Sequence, residues 1–488
     1  MSTSSKRVFA LLATAVLVGC QQAAPQVTPF GATITEGTLP ESALPLELTG
    51  GRPVPAGSYL PDRLIVELSP EADADATLDG FTTTAMVNLG RRFAGIKLPS
   101  DMNLTEAHAI LSKRPGVKSL SLDGLVRPTQ VVASPLASER FDELWAHRAT
   151  QMHKYWEEVP QAPSANDMLV AVLDTGLDMG EPDEGFHTVH PEFEGRVYAP
   201  QNFTPDYNGD PVNVKDGNKH GTHVAGTIGA RGVKVVGVAP DVSLMPLKVL
   251  GNSGGGSDMG IAKAMSYAMD DAVVENPGTP EEWTRQSYTA YPGIGNRRVR
   301  VMNMSLGSAF HGRSALYDAM MAEARRKGIV VVVAAGNDGS EVAVPGTSPH
   351  AVVVSSTSPH LLGSLFWEWL SGFSNRGDRV DLSAPGGNIL STLPRYYYKD
   401  DPFTGPTDYG YLSGTSMATP YVAGAAAMVI AKFPPADGVY DADYVDRVVD
   451  HLRVTSDDLG APGKDPKYGY GRVNVYEALM APALGQRR

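Results

Sequence analysis

Ser416 stands in Gly414-Thr415-Ser416-Met417-Ala418-Thr419-Pro420, with Asp174 upstream in Leu173-Asp174-Thr175-Gly176 and His220 in His220-Gly221-Thr222-His223-Val224-Ala225-Gly226. A neutral serine hydroxyl is a weak nucleophile. It attacks a carbonyl when a base takes its proton and an acid orients and stabilises that base. The chain offers one candidate for each role, in the order acid, base, nucleophile.

Each candidate needs an element that holds it still. Gly414 permits a tight turn, and Thr415 and Ser416 can satisfy free amides where the Ala-rich run from Met417 to Lys432 begins as a helix. Pro420 is expected in the first turn, where its missing N–H costs nothing. The Ser416 hydroxyl and amide then sit at a positive helix end, suited to a developing oxyanion. A capped, buried Ala-rich helix would have the same features without any chemistry. Asp174 follows the apolar run Met168 to Leu173, which reads as a buried parallel strand with the carboxylate at its carboxyl end. Asp-Thr-Gly can also be a plain turn, or half of a paired-carboxylate site. The pair would need a second Asp-Thr-Gly or Asp-Ser-Gly, and none occurs.

His220 opens a Gly- and Ala-rich segment to Ala230 that reads as a tightly packed helix. In a His-Glu-x-x-His zinc helix a glutamate follows the first ligand; here that position is Gly221, which argues against a metal. Two further strands end in polar residues. Val299 to Met304 leads to Ser305-Leu306-Gly307, and Gly328 to Ala335 leads to Gly336-Asn337. An Asn amide at a strand end can donate to an oxyanion or simply make a turn.

Together, Asp174-Thr-Gly, His220-Gly-Thr-His-Val-Ala-Gly, Ala334-Ala-Gly-Asn337 and Gly414-Thr-Ser-Met-Ala-Thr-Pro420 resemble the four signature blocks of the subtilisin-like serine proteases, the subtilases, in the correct order. The resemblance runs from about Asn166 to Glu477. It implies Asp174 as triad acid, His220 as general base, Ser416 as nucleophile, and Asn337 with the Ser416 amide as oxyanion hole. It also implies that Ser305, Leu306, Gly307, Ala334, Ala335 and Gly336 wall the substrate pocket. Gly254, Gly255 and Gly256, within an extended Leu250 to Gly256, would pair with substrate backbone as an added strand. Protein or peptide substrates follow, with no cofactor for catalysis. The implied architecture is α/β, a doubly wound mainly parallel sheet preceded by a small α+β propeptide domain.

A serine hydrolase of the α/β-hydrolase type would place its Ser before its Asp and His. Here both motif-bearing partners precede Ser416, and His451 beside Asp450 falls in an ordinary amphipathic pattern. The composition, 42% hydrophobic and 19% charged, is that of a globular protein, and the formal charge of −13 argues against nucleic acid and against electrostatic binding to an anionic membrane.

Lys6 and Arg7 precede the apolar run Val8 to Gly19, too short to span a bilayer and suited to a signal-peptide core over residues 1–19. Leu17-Val18-Gly19-Cys20 resembles a bacterial lipobox, making Cys20, the sole cysteine, a candidate lipidation site that would anchor the chain to a membrane before processing. The chain is therefore expected to be exported, extracellular or attached to the cell envelope, and no intrachain disulfide can form. Residues 20–57 read as a Pro/Thr/Gly-rich tether. Asp62 to Leu68 and Lys118 to Leu122 alternate like strands, and Asn103 to Arg114 reads as a helix with a capping box to Glu106 and a stop at Pro115-Gly116. This βαβ-like module, residues 58–131, resembles the subtilase propeptide, an intramolecular inhibitor, with cleavage between about Pro128 and Ser138 before a catalytic domain over 132–488.

Gly180 to Lys219, Glu275 to Arg298, Leu361 to Trp369 and Arg395 to Tyr411 read as longer surface loops. The run Gly229 to Gly237 is shorter than the loop that holds a tight calcium in many subtilisins, so that site is not carried over. Acidic loops around Asp206, Asp210 and Asp216 leave structural calcium open, at no defined ligands. Two other functions fit the same residues. A maturation protease cutting a single partner would want a charged pocket, which Ser305 to Gly307 and Ala334 to Gly336 lack. A surface lipoprotein that binds peptides without cutting would not need all four polar groups.

Overall fold

The computed structural model describes residues 48, 59–88, 92–128, 144–159, 165, 168–180, 188–269, 297–362, 365–397 and 407–487. The expected signal segment, Cys20, the tether apart from Leu48, the cleavage linker beyond Pro128 and most of the Glu275 to Arg298 insertion lie outside the described residues.

The first unit is an antiparallel sheet of β1 (Tyr59–Leu68), β2 (Thr82–Asn88), β3 (Arg92–Lys97) and β4 (Val117–Pro128), in the order β4-β1-β3-β2. Helix α1 (Leu104–Leu111) covers one face with Leu104, Ala107 and Leu111, a spacing that keeps all three on one side. Its capping box forms as the sequence indicates: Asn103 Oδ1 accepts the Glu106 amide at 3.0 Å, and Glu106 returns the contact to the Asn103 amide at 3.0 Å. The βαβ expectation is corrected, because β1 and β4 are antiparallel neighbours and the β2–β3 hairpin lies beside them.

The second unit carries the larger sheet. In chain order its elements are β5 (Met168–Asp174), β6 (Gln201–Asn202), α2 (His220–Gly229), β7 (Ser243–Lys248), β8 (Gly256–Ser257), α3 (Asp258–Ala268), β9 (Arg298–Met304), β10 (Leu306–Gly307), α4 (Ala315–Arg326) and β11 (Val330–Ala334). There follow β12 (Val352–Leu362), β13 (Leu365–Leu370), β14 (Leu382–Pro385), β15 (Ile389–Thr392), β16 (Tyr409–Leu412), α5 (Thr415–Lys432), α6 (Ala442–Val454) and α7 (Val475–Met480). The order is β13-β12-β11-β9-β5-β7-β6, with β14 also beside β12, and every described pair is parallel except β12 with β13. The expected segment Leu361 to Trp369 is thus a strand hairpin and not a loop. From β5 the chain first lays β6 at the sheet's edge, comes back through α2 to place β7 between β6 and β5, and then crosses to build β9, β11 and β12 on the other side. The reversal falls between β5 and β9, where such sheets open a crevice.

Successive side chains of a strand point to opposite faces, so a sheet buried on both sides needs continuous apolar strands. Val170, Val172, Leu244, Val301 and Val332 face α2, α5, α6 and α7, while Leu169, Ala171, Leu173, Met245 and Val331 face α3 and α4. Helix α5 is buried from Thr415 to Ile430, and its small residues allow close approach: a Cβ on Gly424 would fall 2.7 Å from Val238 Cβ. The free face of the smaller sheet, through Ile65, Ala85, Val87 and Phe93, packs into the α3–α4 layer.

Leu244 is fully buried between β7's neighbours and the α5 layer. In a Ser416→Ala background, Leu244→Ala is expected to lower the unfolding free energy by about 2–5 kcal/mol in urea titrations, and Val233→Ala, at a 56% exposed position, by no more than about 0.5 kcal/mol.

Candidate active site

Asp174 is the last residue of β5 and His220 the first of α2. His220 Nδ1 lies 2.6 Å from Asp174 Oδ1, with both side chains fully buried. The same oxygen accepts the Thr175 amide at 2.7 Å, which fixes the carboxylate over the strand end. Thr175 ties this turn to α2, accepting the Gly221 amide at 2.8 Å and donating to Asp216 at 2.8 Å. Asp216 in turn accepts both the amide and the hydroxyl of Thr222, at 2.8 and 2.7 Å, and so caps the helix that carries His220. The approach is close enough to demand glycine, since a Cβ on Gly221 would lie 2.2 Å from the Gly176 carbonyl oxygen. His220 Nε2 is buried and has no hydrogen-bond partner among the described residues.

Ser416 is the second residue of α5, so its amide belongs to the first turn, where no intrahelical acceptor exists. The N-cap is Gly414, which has no side chain to cap with, and the Thr415 hydroxyl accepts the Gly336 amide at 3.2 Å. The placing of Pro420 is corrected. It lies in the second turn and deprives the Ser416 carbonyl of its usual donor. Ser305 supplies the replacement: its hydroxyl donates to the Ser416 carbonyl at 2.8 Å, and the Ser305 carbonyl accepts the Ser416 hydroxyl at 3.0 Å. This reciprocal pair joins the end of β9 to the start of α5.

Asn337 follows β11, next to β9. Its Oδ1 accepts the Thr415 amide at 2.9 Å and hydroxyl at 3.0 Å, which turns Nδ2 the other way. Nδ2 is buried and unpartnered among the described residues. An amide donor so placed beside the Ser416 turn can meet a developing oxyanion. Ala334 ends β11, Ala335 lies in the α3–α4 layer of the core, and Gly336, at φ +107°, makes the turn into Asn337.

The segments expected to bind substrate backbone are occupied by the smaller unit. Residues 125–128 of β4 run antiparallel to both β8 and β10, with Leu125 opposite Ser257, Val126 opposite Gly256, Arg127 opposite Gly307 and Pro128 opposite Leu306. Gly256, Leu306 and Gly307 therefore pair with an added strand. Gly254 and Gly255 do not: residues 251–255 fold back, with the Gly251 amide donating to Gly255 and the Gly254 amide to Gly251, both at 2.8 Å. Leu250 to Gly256 is a turn and not an extended run.

Two residues that sequence patterns had not marked support this site. Lys248, opposite Asp174 in the β5–β7 register, is fully buried and donates to the carbonyls of Thr175 (2.7 Å) and Leu250 (3.1 Å) and to Asn252 Oδ1 (3.0 Å), with Asp206 at 3.3 Å. Burial lowers its pKa, while Asp216 and Asp206 pull it back. Glu192, also fully buried, accepts the amides of Gly232, Val233, Lys234 and Val235 and so folds the Gly229 to Gly237 loop around an anion. Ser305, expected as a pocket wall, has the further role of holding the Ser416 backbone.

No group of three or more His, Cys, Asp or Glu suited to a metal ion occurs among the described residues. Asp206 and Asp216 are engaged as above, and His223 Nε2 faces the carbonyls of Ile389 and Gly410 at 2.9 and 3.2 Å. Burial pushes the His223 imidazole down to about 3, so it stays neutral. His451 is held between the Ala478 carbonyl and the Gly485 amide, which marks it as structural.

Residues 165–471 match the Subtilase family. The chain is 35% identical over 328 residues to Subtilisin Savinase of Lederbergia lenta, covering 65% of this chain and 95% of that protein. It is likewise 35% identical over 328 residues to an alkaline protease of Alkalihalobacillus alcalophilus, covering 67% of the latter. Among solved structures, fervidolysin of Fervidobacterium pennivorans, described as a keratinolytic enzyme related to subtilisin, superposes with a TM-score of 0.67 at 26% identity. That match covers 89% of this chain and 63% of fervidolysin.

The Ser305–Pro420 relation can be tested by a double-mutant cycle. Ser305→Ala strands the Ser416 carbonyl and is expected to cost about 1–3 kcal/mol in urea denaturation, whereas adding Pro420→Ala restores a backbone donor and should recover about 1 kcal/mol.

Proposed function

The chain belongs to the subtilase family, the subtilisin-like serine proteases, and we propose that it is an exported, broad-specificity endopeptidase made as a self-inhibited precursor. What carries the reading is the 2.6 Å contact between Asp174 and His220 at the carboxyl end of β5, with Ser416 opening α5 and the Asn337 amide following β11 without a partner among the described residues.

In the proposed reaction the Ser416 hydroxyl turns from the Ser305 carbonyl to His220 Nε2 and gives up its proton as Ser416 attacks a peptide carbonyl. Asp174 holds the imidazole through Nδ1 and stabilises its charged form. Asn337 Nδ2 and the Ser416 amide receive the oxyanion, His220 then protonates the leaving amine, and water hydrolyses the acyl-enzyme. Substrate would enter as a strand between β8 and β10. Residues 125–128 now fill that place, which supports an inhibitory role for the 59–128 unit and cleavage in the linker beyond it. The pocket segments Ser305 to Gly307 and Ala334 to Gly336 carry no charge, favouring apolar residues before the scissile bond. Export rests on the signal-like residues 1–19, with Cys20 as an initial lipid anchor that cleavage separates from the catalytic unit.

Full-length wild-type protein should lose its N-terminal unit within about Pro128 to Ser138 and digest casein, whereas Ser416→Ala should stay intact and inactive. A Ser416→Ala chain that still processes itself overturns the assignment. Asn337→Ala should lower kcat by about 10²–10³ with little change in KM, a magnitude whose measured case is itself a subtilisin.

A further inference from the structure

Between the two units lies a pair of carboxylates that the proposed chemistry does not use. Asp123 of β4 is 1% exposed, and among the described residues its oxygens make no close hydrogen bond, the amides of Asp258 and Met259 at the start of α3 acting on it only weakly. Asp258, the first residue of α3, is 6% exposed. Its Oδ2 accepts the amide of Gly124, next to Asp123, at 2.7 Å, and its Oδ1 accepts the Tyr317 hydroxyl of α4 at 2.8 Å. Two carboxylates sealed together resist double ionisation, because no water screens their repulsion.

The groups facing the pair are Asp258, Tyr317 and Arg63 of β1, with Glu67, His311 and Arg313 lining the adjoining cavity. Burial, then the neighbouring Asp258 charge, push Asp123 up to about 7, while Arg63 and the first amides of α3 pull the other way. Burial also raises Asp258, against the donors Tyr317 and Gly124.

We propose that Asp123 and Asp258 hold a proton between them and so latch the 59–128 unit onto the catalytic unit, loosening it as the medium passes from acid to neutral. The proposal rests on the inhibitory reading of that unit. Once the unit is free, both acids face water and return to the ordinary range near 4. Well below that value both states are protonated and docking is at full strength. Between about 4 and 7 the docked state keeps a proton that the free state has lost, so docking weakens by up to about tenfold per pH unit. Above about 7 the loss is complete.

The test compares full-length wild type, Asp123→Asn and Asp258→Asn. Each is allowed to cleave itself at pH 5 and then shifted to pH 5, 6, 7 or 8, and the time to half-maximal activity is normalised to each plateau. After release, the Asp123→Asn enzyme is identical to wild type, so any difference belongs to the docked state. The half-time ratio of Asp123→Asn to wild type should be smallest at pH 5 and grow by tenfold or more on going to pH 8, with Asp258→Asn also flattening the pH dependence. Equal pH profiles for wild type and both variants overturn the latch while leaving inhibition intact. Activity with the N-terminal unit never cleaved or released, at any pH, overturns the inhibitory reading and the latch together.

Discussion

The Asp174 carboxylate is sealed from water at the end of a sheet strand, where an ionised group costs several kcal/mol unless donors and counter-charge meet it. Most of the local architecture follows from meeting that demand. The Thr175 amide and His220 bind one oxygen, and Lys248 holds the adjacent backbone from the neighbouring strand. Asp216 then compensates the start of α2 and fastens it to Thr175. An imidazole placed in this frame has its Nδ1 committed and its Nε2 directed away from the acid, which is the orientation a base toward Ser416 requires.

The same logic recurs away from the site. Glu192 gathers the amides of the Gly229 to Gly237 loop, and Asp178 pairs with Arg395 at 2.8 Å. A loop whose amides converge on a carboxylate presents donors inward, where a cation would need carbonyls. Its chain path is thus fixed by an internal anion. Asp123 departs from the pattern: it is buried with Asp258, and among the described residues no donor meets it as closely as those that meet Glu192 and Asp178.

The four polar groups were legible in the sequence because each follows an apolar strand or opens a small-residue helix, contexts that fix both element and end. The parallel strands were legible for the same reason, Val330 to Ala334 being apolar without alternation. What sequence could not give depended on contacts between distant segments. The Ser305–Ser416 exchange follows from Pro420 lying one turn deeper than the helix start suggested. Lys248 closes an apolar strand with no motif to mark it, and its ammonium turns inward to Thr175 and Leu250. Leu361 to Trp369 read as a loop because it lengthens the chain relative to a minimal subtilase, whereas β12 continues to Leu362 and pairs with β13 as a hairpin.

The segment from Lys248 to Asp258 joins these features. Its first residue braces the strand end that bears Asp174, its turn at Gly251 to Gly255 returns the chain, and Gly256 and Ser257 offer backbone to an incoming strand. Asp258 then opens α3 and touches the docked unit through Gly124. The brace of the Asp174 turn, the edge that pairs with β4 and the contact to Gly124 are therefore consecutive along one stretch of chain. A strand that leaves β8 must also uncover Asp258, so hydration of that carboxylate and vacancy of the cleft arise from the same displacement.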